Sequence, residues 1–143
     1  MPRDIVKGDK KLIRRLNKLS GTIQRKIARS AVSAGATVVR KAIKAAAPDP
    51  EVKKNIVKRA RSYAGDGNVI QVIGVASNVK VERHGRKDFA LTTIASDLEF
   101  GSPERKIPAQ PFIRPAWESS KRQAAKKVES KAWEGIKKQV RRK

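Results

Sequence analysis

The sequence contains no cysteine and only one histidine in its 143 residues. Without cysteine, the chain has neither a disulfide framework nor a thiolate zinc site, and a reducing cytosol is the simplest compartment for it. A serine nucleophile would need a base that a third group orients, and His84 lies in a charged segment beside a glycine. We therefore interpret His84 as a solvated loop residue, because an active site needs more partners than the sequence offers there.

Aromatic residues, nucleotide-binding motifs and long apolar runs are also scarce. Three Phe, two Trp and one Tyr are too few for a set of base-stacking platforms. No glycine-rich loop precedes a helix with a phosphate-binding lysine, and Asp97 and Glu99 alone are a weak metal signal. No apolar run reaches the roughly 18 residues of a membrane span, and Met1 to Lys11 lacks a signal-peptide core. These absences predict a soluble, unexported protein that is not an enzyme and has no cofactor or metal.

Positive charge is what the sequence has in excess. Lys and Arg number 35 against 13 Asp and Glu, which gives a net charge of +22. Residues 1–47 hold 13 basic and 2 acidic side chains, residues 114–143 hold 11 and 3, and residues 81–113 hold 5 of each. Because an isolated compact monomer with this charge would repel itself, we expect a polyanion or acidic neighbouring proteins as partners.

The basic residues allow two interpretations. Their side chains can simply solvate the outer faces of helices, with the aliphatic stems covering apolar edges. They can also form a surface for polyphosphate, which gives salt-dependent binding without sequence reading. A membrane-surface helix is disfavoured, because the apolar stripes lack interfacial aromatic residues. The candidate contacts for DNA or an acidic partner are Arg25, Lys26, Arg29, Arg40, Lys41, Lys44, Arg105 and Lys106.

Apolar residues recur every three or four positions in the first third of the chain, which places them on one helical face. They are Leu12, Leu16, Leu19, Ile23, Ile27, Ala31, Ala34, Val38 and Ala42. Ser20 and Gly21 interrupt helix propensity, and serine is a good N-cap. The pattern therefore predicts a short helix over about residues 8–18 and a long one over about residues 21–46, where two prolines follow.

A second apolar stripe predicts a C-terminal helix over about residues 115–141, with Pro115 in its first turn. The stripe consists of Trp117, Ala124, Val128, Ala132, Ile136 and Val140, with Trp133 beside it. Both tryptophans are expected in the core.

The middle of the chain predicts strands. Apolar alternation on both sides of the glycine-containing "AGDGN" predicts an antiparallel hairpin over about residues 56–77, with its second strand central or covered on both faces. Residues 79–88 are charged and predict a turn or mobile loop. "FALTTIASDLEF" predicts a short helix followed by a strand near residues 98–100.

The elements together predict a single α+β domain spanning residues 1–143. In this fold an antiparallel sheet, made of the hairpin plus one or two further strands, packs against the long N-terminal helix and the C-terminal helix.

A proline-rich loop over residues 101–113 connects the last two elements. Because its prolines remove hydrogen-bond donors and fix φ, we expect the loop to run extended, away from the core, as an arm that contacts another subunit. Phe112 would be the anchor and Ile107 would assist. The alternative is that Phe112 folds back beneath the C-terminal helix. The predicted contact residues are Ile107, Pro108, Pro111, Phe112 and Arg114.

Glu99 and Arg114 bracket this loop. If the end of one element and the start of the next lie close together, the two side chains would form a salt bridge that holds the base of the arm. Two unrelated surface charges are the alternative.

The segment from Leu98 to Ala116 carries "LEFGS" and, after a short polar spacer, "PAQPFIRPAWE", followed by a basic amphipathic helix. This motif resembles the tail-completion or head-to-tail joining proteins of long-tailed phages, which are minor tail components. The order of a long basic helix, an "AAAP" terminator, a hairpin, this loop and a final helix agrees over most of the chain. Relatives commonly continue after the terminator with Arg-Thr-Gly-x-Leu, whereas this chain has "DPEVKKN".

The resemblance implies a structural α+β subunit that closes into a ring at the phage neck or the top of the tail, with neighbouring neck and tail proteins as partners. A six-fold ring would match a six-fold tail, with a twelve-fold ring as the alternative. The protein would occupy the virion, and the host cytoplasm before assembly. The alternative function is a small basic DNA-binding architectural protein that uses its helices.

Overall fold

The computed structural model describes residues 9–61, 69–83 and 85–142. Its elements are α1 Asp9–Asn17, α2 Gly21–Ala46, α3 Pro50–Lys54, β1 Ile56–Arg61, β2 Ile70–Val75, β3 Lys80–Arg83, β4 Arg86–Ala90, α4 Leu91–Phe100 and α5 Ile113–Arg141. β1 pairs with β2 and β3 pairs with β4, in two small antiparallel sheets. The predicted α+β class is confirmed, although the described strands form two separate sheets.

The long helices follow the predicted pattern. α2 has the predicted bounds, and its first hydrogen bond runs from the Gln24 N–H to the Ser20 carbonyl at 2.9 Å. The short helix α3 was not predicted. The Asp49 carboxylate caps it by accepting hydrogen bonds from the N–H groups of Glu51 and Val52, at 2.9 and 3.2 Å. Pro50 fits the first position of α3 because its fixed φ suits a helix start.

The prediction that β2 is central or covered on both faces is wrong for the described residues. β2 has β1 as its only described neighbour, and Val72 is 44% exposed. The presence of apolar residues on both faces of β2 therefore does not mean that other elements cover both faces. The glycine-containing loop Ala64–Asn68 lies outside the described residues.

Residues 79–88 contain a hairpin, not only a turn or mobile loop. Lys80 pairs with Ala90 and Arg83 with Arg86, and the register shifts between Val81 and Arg83. The charged composition concealed these strands because their residues are mostly exposed. His84 lies outside the described residues.

The strand predicted near residues 98–100 is also absent. α4 continues as a helix through Phe100, and the Gly101 N–H then donates to the Asp97 carbonyl at 2.7 Å. Asp97 and Glu99 consequently lie on the last turn of a helix.

The chain divides into two compact units. Unit 1 comprises Met1–Val38, Arg59–Val72 and Ser120–Lys143, and unit 2 comprises Val39–Lys58 and Ile73–Ser119. That the whole chain folds as one domain stays a prediction.

Unit 1 is packed around apolar side chains of α1, α2 and α5. A Cβ atom added to Gly35 would lie 3.0 Å from the carbonyl oxygen of Ala124, and one added to Gly135 would lie 3.0 Å from the Ile27 side chain. The two glycines therefore allow α2 and α5 to approach closely. The buried cluster is Leu12, Ile27, Ala31, Ala132 and Ile136, with Leu16, Leu19, Ile23, Val128 and Trp133 packed against it.

The buried face of α2 departs from the predicted stripe after Ala31. Val39 and Ile43 are buried, each 4% exposed, whereas the predicted residues of this part of the stripe are half-buried. From Ala31 the buried residues continue every four positions, along one ridge of the helix, whereas the prediction moved three positions from Ala31 to Ala34. The half-buried residues are Ala34, Val38 and Ala42.

Unit 2 combines an apolar core with hydrogen bonds and ion pairs between its elements. Its largest fully buried side chains are Phe112, Ile56, Leu91 and Val52. The Arg40 Nε donates to the Ile56 carbonyl at 2.8 Å. Asp49, besides capping α3, forms an ion pair with Arg83 of β3.

Candidate contact surface

Glu99, on the last turn of α4, caps the start of α5. Its Oε2 accepts hydrogen bonds from the N–H groups of Phe112 and Ile113 at 2.7 and 2.9 Å, and its Oε1 accepts one from the Arg114 N–H at 3.1 Å. The next residue, Pro115, has no N–H, and the Ala116 N–H donates to the Phe112 carbonyl at 3.3 Å. Every N–H group in the first turn of α5 therefore has a hydrogen-bond partner. The first N–H groups of a helix have no acceptor within the helix, so a side chain such as Glu99, or water, must supply one.

The environment of Glu99 favours its charged form. Burial alone would raise the pKa of this carboxyl group, since Glu99 is only 8% exposed as a residue. The hydrogen bonds from Ile113, Phe112 and Arg114, together with the positive charge of Arg114, outweigh burial and lower the pKa below 4.5. A buried carboxylate at a helix N-terminus also interacts favourably with the helix dipole. Glu99 is therefore anionic at neutral pH and holds α4 and α5 together.

The loop between α4 and α5 is closed, not extended. Ser102 and Ile107 exchange two backbone hydrogen bonds of 2.9 Å, and the Gln110 N–H donates to the Leu98 carbonyl at 2.7 Å. Gly101 has φ +77°, and a Cβ there would lie 3.1 Å from the Ala109 nitrogen. The prediction of an arm that runs away from its own core is therefore wrong, because backbone hydrogen bonds return the loop to α4.

Arg105 fixes the tip of this loop. Its guanidinium group forms an ion pair with Asp97 at 2.6 Å and lies 5.5 Å from the centre of the Phe89 ring. Arg105 thus bridges the loop, α4 and β4 within unit 2.

Two aromatic side chains beside the Glu99 cap are exposed. Phe100 is 71% exposed and Trp117 is 48% exposed. Both line an open cavity of about 500 Å³, whose other apolar walls are Val75, Ala95 and Ile113. We call these five residues the junction surface.

The junction surface corrects the expectation that both tryptophans belong to the core. Trp117 belongs to this exposed surface, whereas Trp133 is half-buried against the core of unit 1. Exposed apolar patches with a polar surround commonly mark interaction sites.

Phe112 has the alternative position considered from the sequence. It is 1% exposed and belongs to the core of its own chain, so it does not present an accessible anchor to another subunit. Of the other predicted contact residues, Ile107 is half-buried, whereas Pro108, Pro111 and Arg114 are exposed. Their role in a subunit contact stays a prediction.

Glu99 and Arg114 do lie together, but in a different way from the predicted salt bridge. The hydrogen bond joins the Glu99 carboxylate to the backbone N–H of Arg114, and the Arg114 side chain contributes through its charge. The pair therefore belongs to a helix cap, where geometry matters more than in an exposed ion pair.

The predicted basic contacts are divided between the two units. Arg25, Lys26 and Arg29 are exposed in unit 1, whereas Lys41, Lys44 and Lys106 belong to unit 2. Arg40 and Arg105 have structural partners of their own.

Sequence reasoning missed the cap and the exposed Phe100. The sequence did contain a signal for the cap. The glutamate at the end of α4 is a hydrogen-bond acceptor, and the proline at the third position of α5 indicates a helix start, where N–H groups need such an acceptor. Phe100 precedes a glycine at a helix end, where a side chain can face solvent.

The described residues offer no group of acidic or histidine side chains that could hold a metal ion. Among the helices in those ranges, none has the length and apolar character needed to cross a membrane. The most prominent feature of unit 2 is instead an aromatic surface on a fixed support. Such a feature is typical of a protein that acts by contacting other macromolecules.

Comparison with models of protein families matches residues 10–101 to the family described as "Bacteriophage HK97-gp10, putative tail-component". Because this match covers more than half of the chain, the chain belongs to the HK97-gp10-like family, which confirms the resemblance to phage tail proteins. The protein is a structural, tail-related component of a phage virion and interacts with other tail proteins. The match ends at Gly101, before most of the motif that carried the resemblance. The comparisons with curated proteins and with solved structures found no match.

Proposed function

We propose that this chain is a ring-forming head-to-tail joining, or tail-completion, protein at the phage neck, and that neighbouring copies meet through the junction surface. The observation that carries the proposal is the exposure of Phe100 and Trp117 on a base that Glu99 fixes. A surface that is already ordered loses little conformational entropy when a partner binds. Aromatic residues are also enriched among the residues that dominate interface energies.

The charge distribution favours a second copy at this surface. Unit 1 holds 22 basic and 5 acidic side chains, whereas unit 2 holds 13 and 8. Like-charged copies repel each other least where the local charge is balanced, and residues 81–113 hold 5 side chains of each sign. Unit 2 is therefore the part of the chain that a second copy can approach at the lowest electrostatic cost.

The ring would have six copies, matching a six-fold tail, with twelve as the alternative. A ring needs heterologous contacts, in which one surface binds a different surface of the next copy. The junction surface supplies one of the two. The exposed loop residues Pro108 and Pro111 border it in sequence and extend the proposed contact. The protein would reside in the host cytoplasm before it joins the virion.

Non-specific contact with DNA in the channel is the second part of the proposal. The exposed Arg25, Lys26 and Arg29 of α2 support it, since they lie in the more positive unit. A dedicated DNA-binding architectural protein is the alternative, and a salt titration of duplex binding distinguishes the two. Weak binding that disappears as salt rises fits channel contact, whereas roughly nanomolar binding by the monomer at physiological salt favours the alternative.

Phe100→Asp tests the subunit contact. Because Phe100 is 71% exposed, the variant should fold and melt as the wild type does, but it should not complete tailed particles. Ile13→Asp is the matched control, since it places the same charge on a 49% exposed apolar residue of unit 1. Circular dichroism measures folding, and electron microscopy of particles scores the ring at the neck. Normal rings with Phe100→Asp would rule out this contact.

A further inference from the structure

A second cavity lies in unit 1, between α1 and the end of α5. Its volume is about 310 Å³, and its apolar walls are Trp133, Ile136 and Val140. Val140 is 63% exposed although it is a large apolar residue. The cavity is therefore an open apolar cleft at the surface of the more positive unit. We call it the α1–α5 cleft.

Four cations surround the apolar walls of the cleft: Lys11, Arg15, Lys137 and Arg141. All four are exposed. The nearest ion pairs along α5 join Glu134 to Lys131 and Lys138, which do not line the cleft. Within residues 10–61, 69–83 and 85–142, no carboxylate forms an ion pair with any of the four.

The combination of apolar walls and surrounding cations defines the chemistry of a ligand. Cations alone would suit phosphates, but a phosphate backbone would leave Trp133 and Val140 uncovered. An amphipathic helix with carboxylates beside its apolar stripe satisfies both parts of the cleft, because apolar side chains fill the groove and acidic ones meet the cations. We propose that the α1–α5 cleft binds an acidic amphipathic segment of a different protein of the particle.

A second copy of this chain fits the cleft less well. Among the described helices, α4 is the one that has carboxylates, Asp97 and Glu99, and no basic residue. Both carboxylates already have partners in their own chain, Asp97 with Arg105 and Glu99 with the start of α5. The inference does not depend on the ring, since it concerns another surface and another partner.

The test uses the full chain and three fluorescent probes. The first is a synthetic helical peptide with leucines on one face and glutamates beside them. The second has the same composition in a scrambled order, and the third is a short DNA duplex. Fluorescence anisotropy at physiological salt should show binding of the amphipathic peptide that exceeds binding of the scrambled peptide by about tenfold, because only the former aligns its apolar side chains.

Two pairs of variants locate the binding. Val140→Glu should weaken binding of the amphipathic peptide by about tenfold or more, because it places a carboxylate in the apolar wall. Val72→Glu is the control, with the same substitution at a 44% exposed valine of unit 1. Lys137→Ala/Arg141→Ala should weaken peptide binding several-fold more than Lys26→Ala/Arg29→Ala, which removes the same charge from α2. Circular dichroism checks folding, and Val140→Ser replaces Val140→Glu if the latter does not fold.

Three results would overturn the proposal. Equal binding of the scrambled and amphipathic peptides would mean that charge alone attracts them. Loss of duplex binding with Val140→Glu, together with displacement of the peptide by DNA, would make the cleft a nucleic-acid site. Loss of self-association with Val140→Glu, measured by sedimentation, would assign the cleft to a second copy. None of these results depends on Phe100, so they are distinguishable from failure of the proposed ring contact.

Discussion

The two units of this strongly basic chain differ in their charge and in the interactions that stabilise them. Unit 1 has 22 basic and 5 acidic side chains and is held by aliphatic side chains and close helix contacts at Gly35 and Gly135. Unit 2 has 13 and 8, and three of its eight acidic residues act as structural acceptors. Asp49, Asp97 and Glu99 each bind a neighbouring element there. The difference teaches that carboxylates hold neighbouring segments together in unit 2, whereas the ion pairs of Glu134 in unit 1 lie within α5.

The same difference separates the proposed roles. Because apolar side chains hold the helices of unit 1 together, exposed cations such as Arg25, Lys26 and Arg29 are available to acidic partners, whether DNA or protein. In unit 2 the hydrogen bonds and ion pairs of the carboxylates fix the backbone around the junction surface. A fixed surface in a region of balanced charge suits a contact between like copies. The following substitutions test this comparison.

The largest effect is expected for Phe112→Ala in unit 2. Truncation of a fully buried phenylalanine should lower the free energy of unfolding by about 3–5 kcal/mol, since it leaves a cavity. Phe100→Ala is the control and should cost less than about 0.5 kcal/mol, because Phe100 is mostly exposed. Urea unfolding followed by circular dichroism measures both. A small effect of Phe112→Ala would mean that the loop does not pack as described.

Glu99→Gln should have the next largest effect. Loss of the charge and of one acceptor oxygen should cost about 2–3 kcal/mol, because the N–H groups of Phe112, Ile113 and Arg114 lose a charged partner. Glu104→Gln, at an exposed carboxylate in the same loop, is the control and should be nearly neutral. If the two variants are equally stable, the cap does not hold the start of α5.

The effect of Glu99→Gln should depend on pH. The folded pKa of Glu99 is lowered, so its contribution to stability is complete above the unfolded pKa near 4.5 and is lost as pH falls through the folded value. The difference in unfolding free energy between wild type and variant should therefore shrink below about pH 4.5. Urea unfolding at several pH values measures it, and a difference that grows on acidification contradicts the assignment.

A glycine substitution probes the packing of unit 1. Gly35→Ala should cost about 1–3 kcal/mol, because its Cβ would overlap with Val128 and approach the Ala124 carbonyl. Gly21→Ala, also in α2, is the matched control. Its Cβ would have no heavy atom within 4 Å, so the change should be neutral or stabilise by about 0.5 kcal/mol. Equal melting temperatures for the two variants would show that α2 and α5 are not in close contact.

The smallest effect is expected from salt. Screening of the repulsion among the cations should raise the free energy of unfolding by up to about 1 kcal/mol between low and physiological ionic strength. Lys26→Gln/Arg29→Gln should reduce this dependence, because it removes two exposed cations from unit 1. A decrease in stability with added salt would instead indicate that ion pairs dominate.

The helices were predictable from local signals. α1, α2 and α5 follow from apolar periodicity, and prolines mark the end of α2 and the first turn of α5. The short helix α3 was missed because its five residues are too few for a periodic pattern. The hairpin of β3 and β4 was missed because exposed, charged strands lack the alternation that identifies a half-buried sheet.

The loop could not be predicted from its prolines. Pro103, Pro108 and Pro111 do exclude regular structure, but they do not determine where the remaining N–H groups find acceptors. The main acceptor, Glu99, belongs to the preceding helix, and only the fold shows that its carboxylate faces the start of α5. Burial of Phe112 follows from the same arrangement. The family was accessible from the motif, whereas the exposed aromatic pair required the structure.

The Glu99 cap also has a consequence for the order of folding. The carboxylate and its three donors are separated by only 13, 14 and 15 positions along the chain. Loops of about this length close within about a microsecond or less, far faster than most domains fold. We therefore expect the end of α4, the closed loop and the first turn of α5 to form one early local structure. The chain would then reach its longer-range contacts with the start of its longest helix already defined.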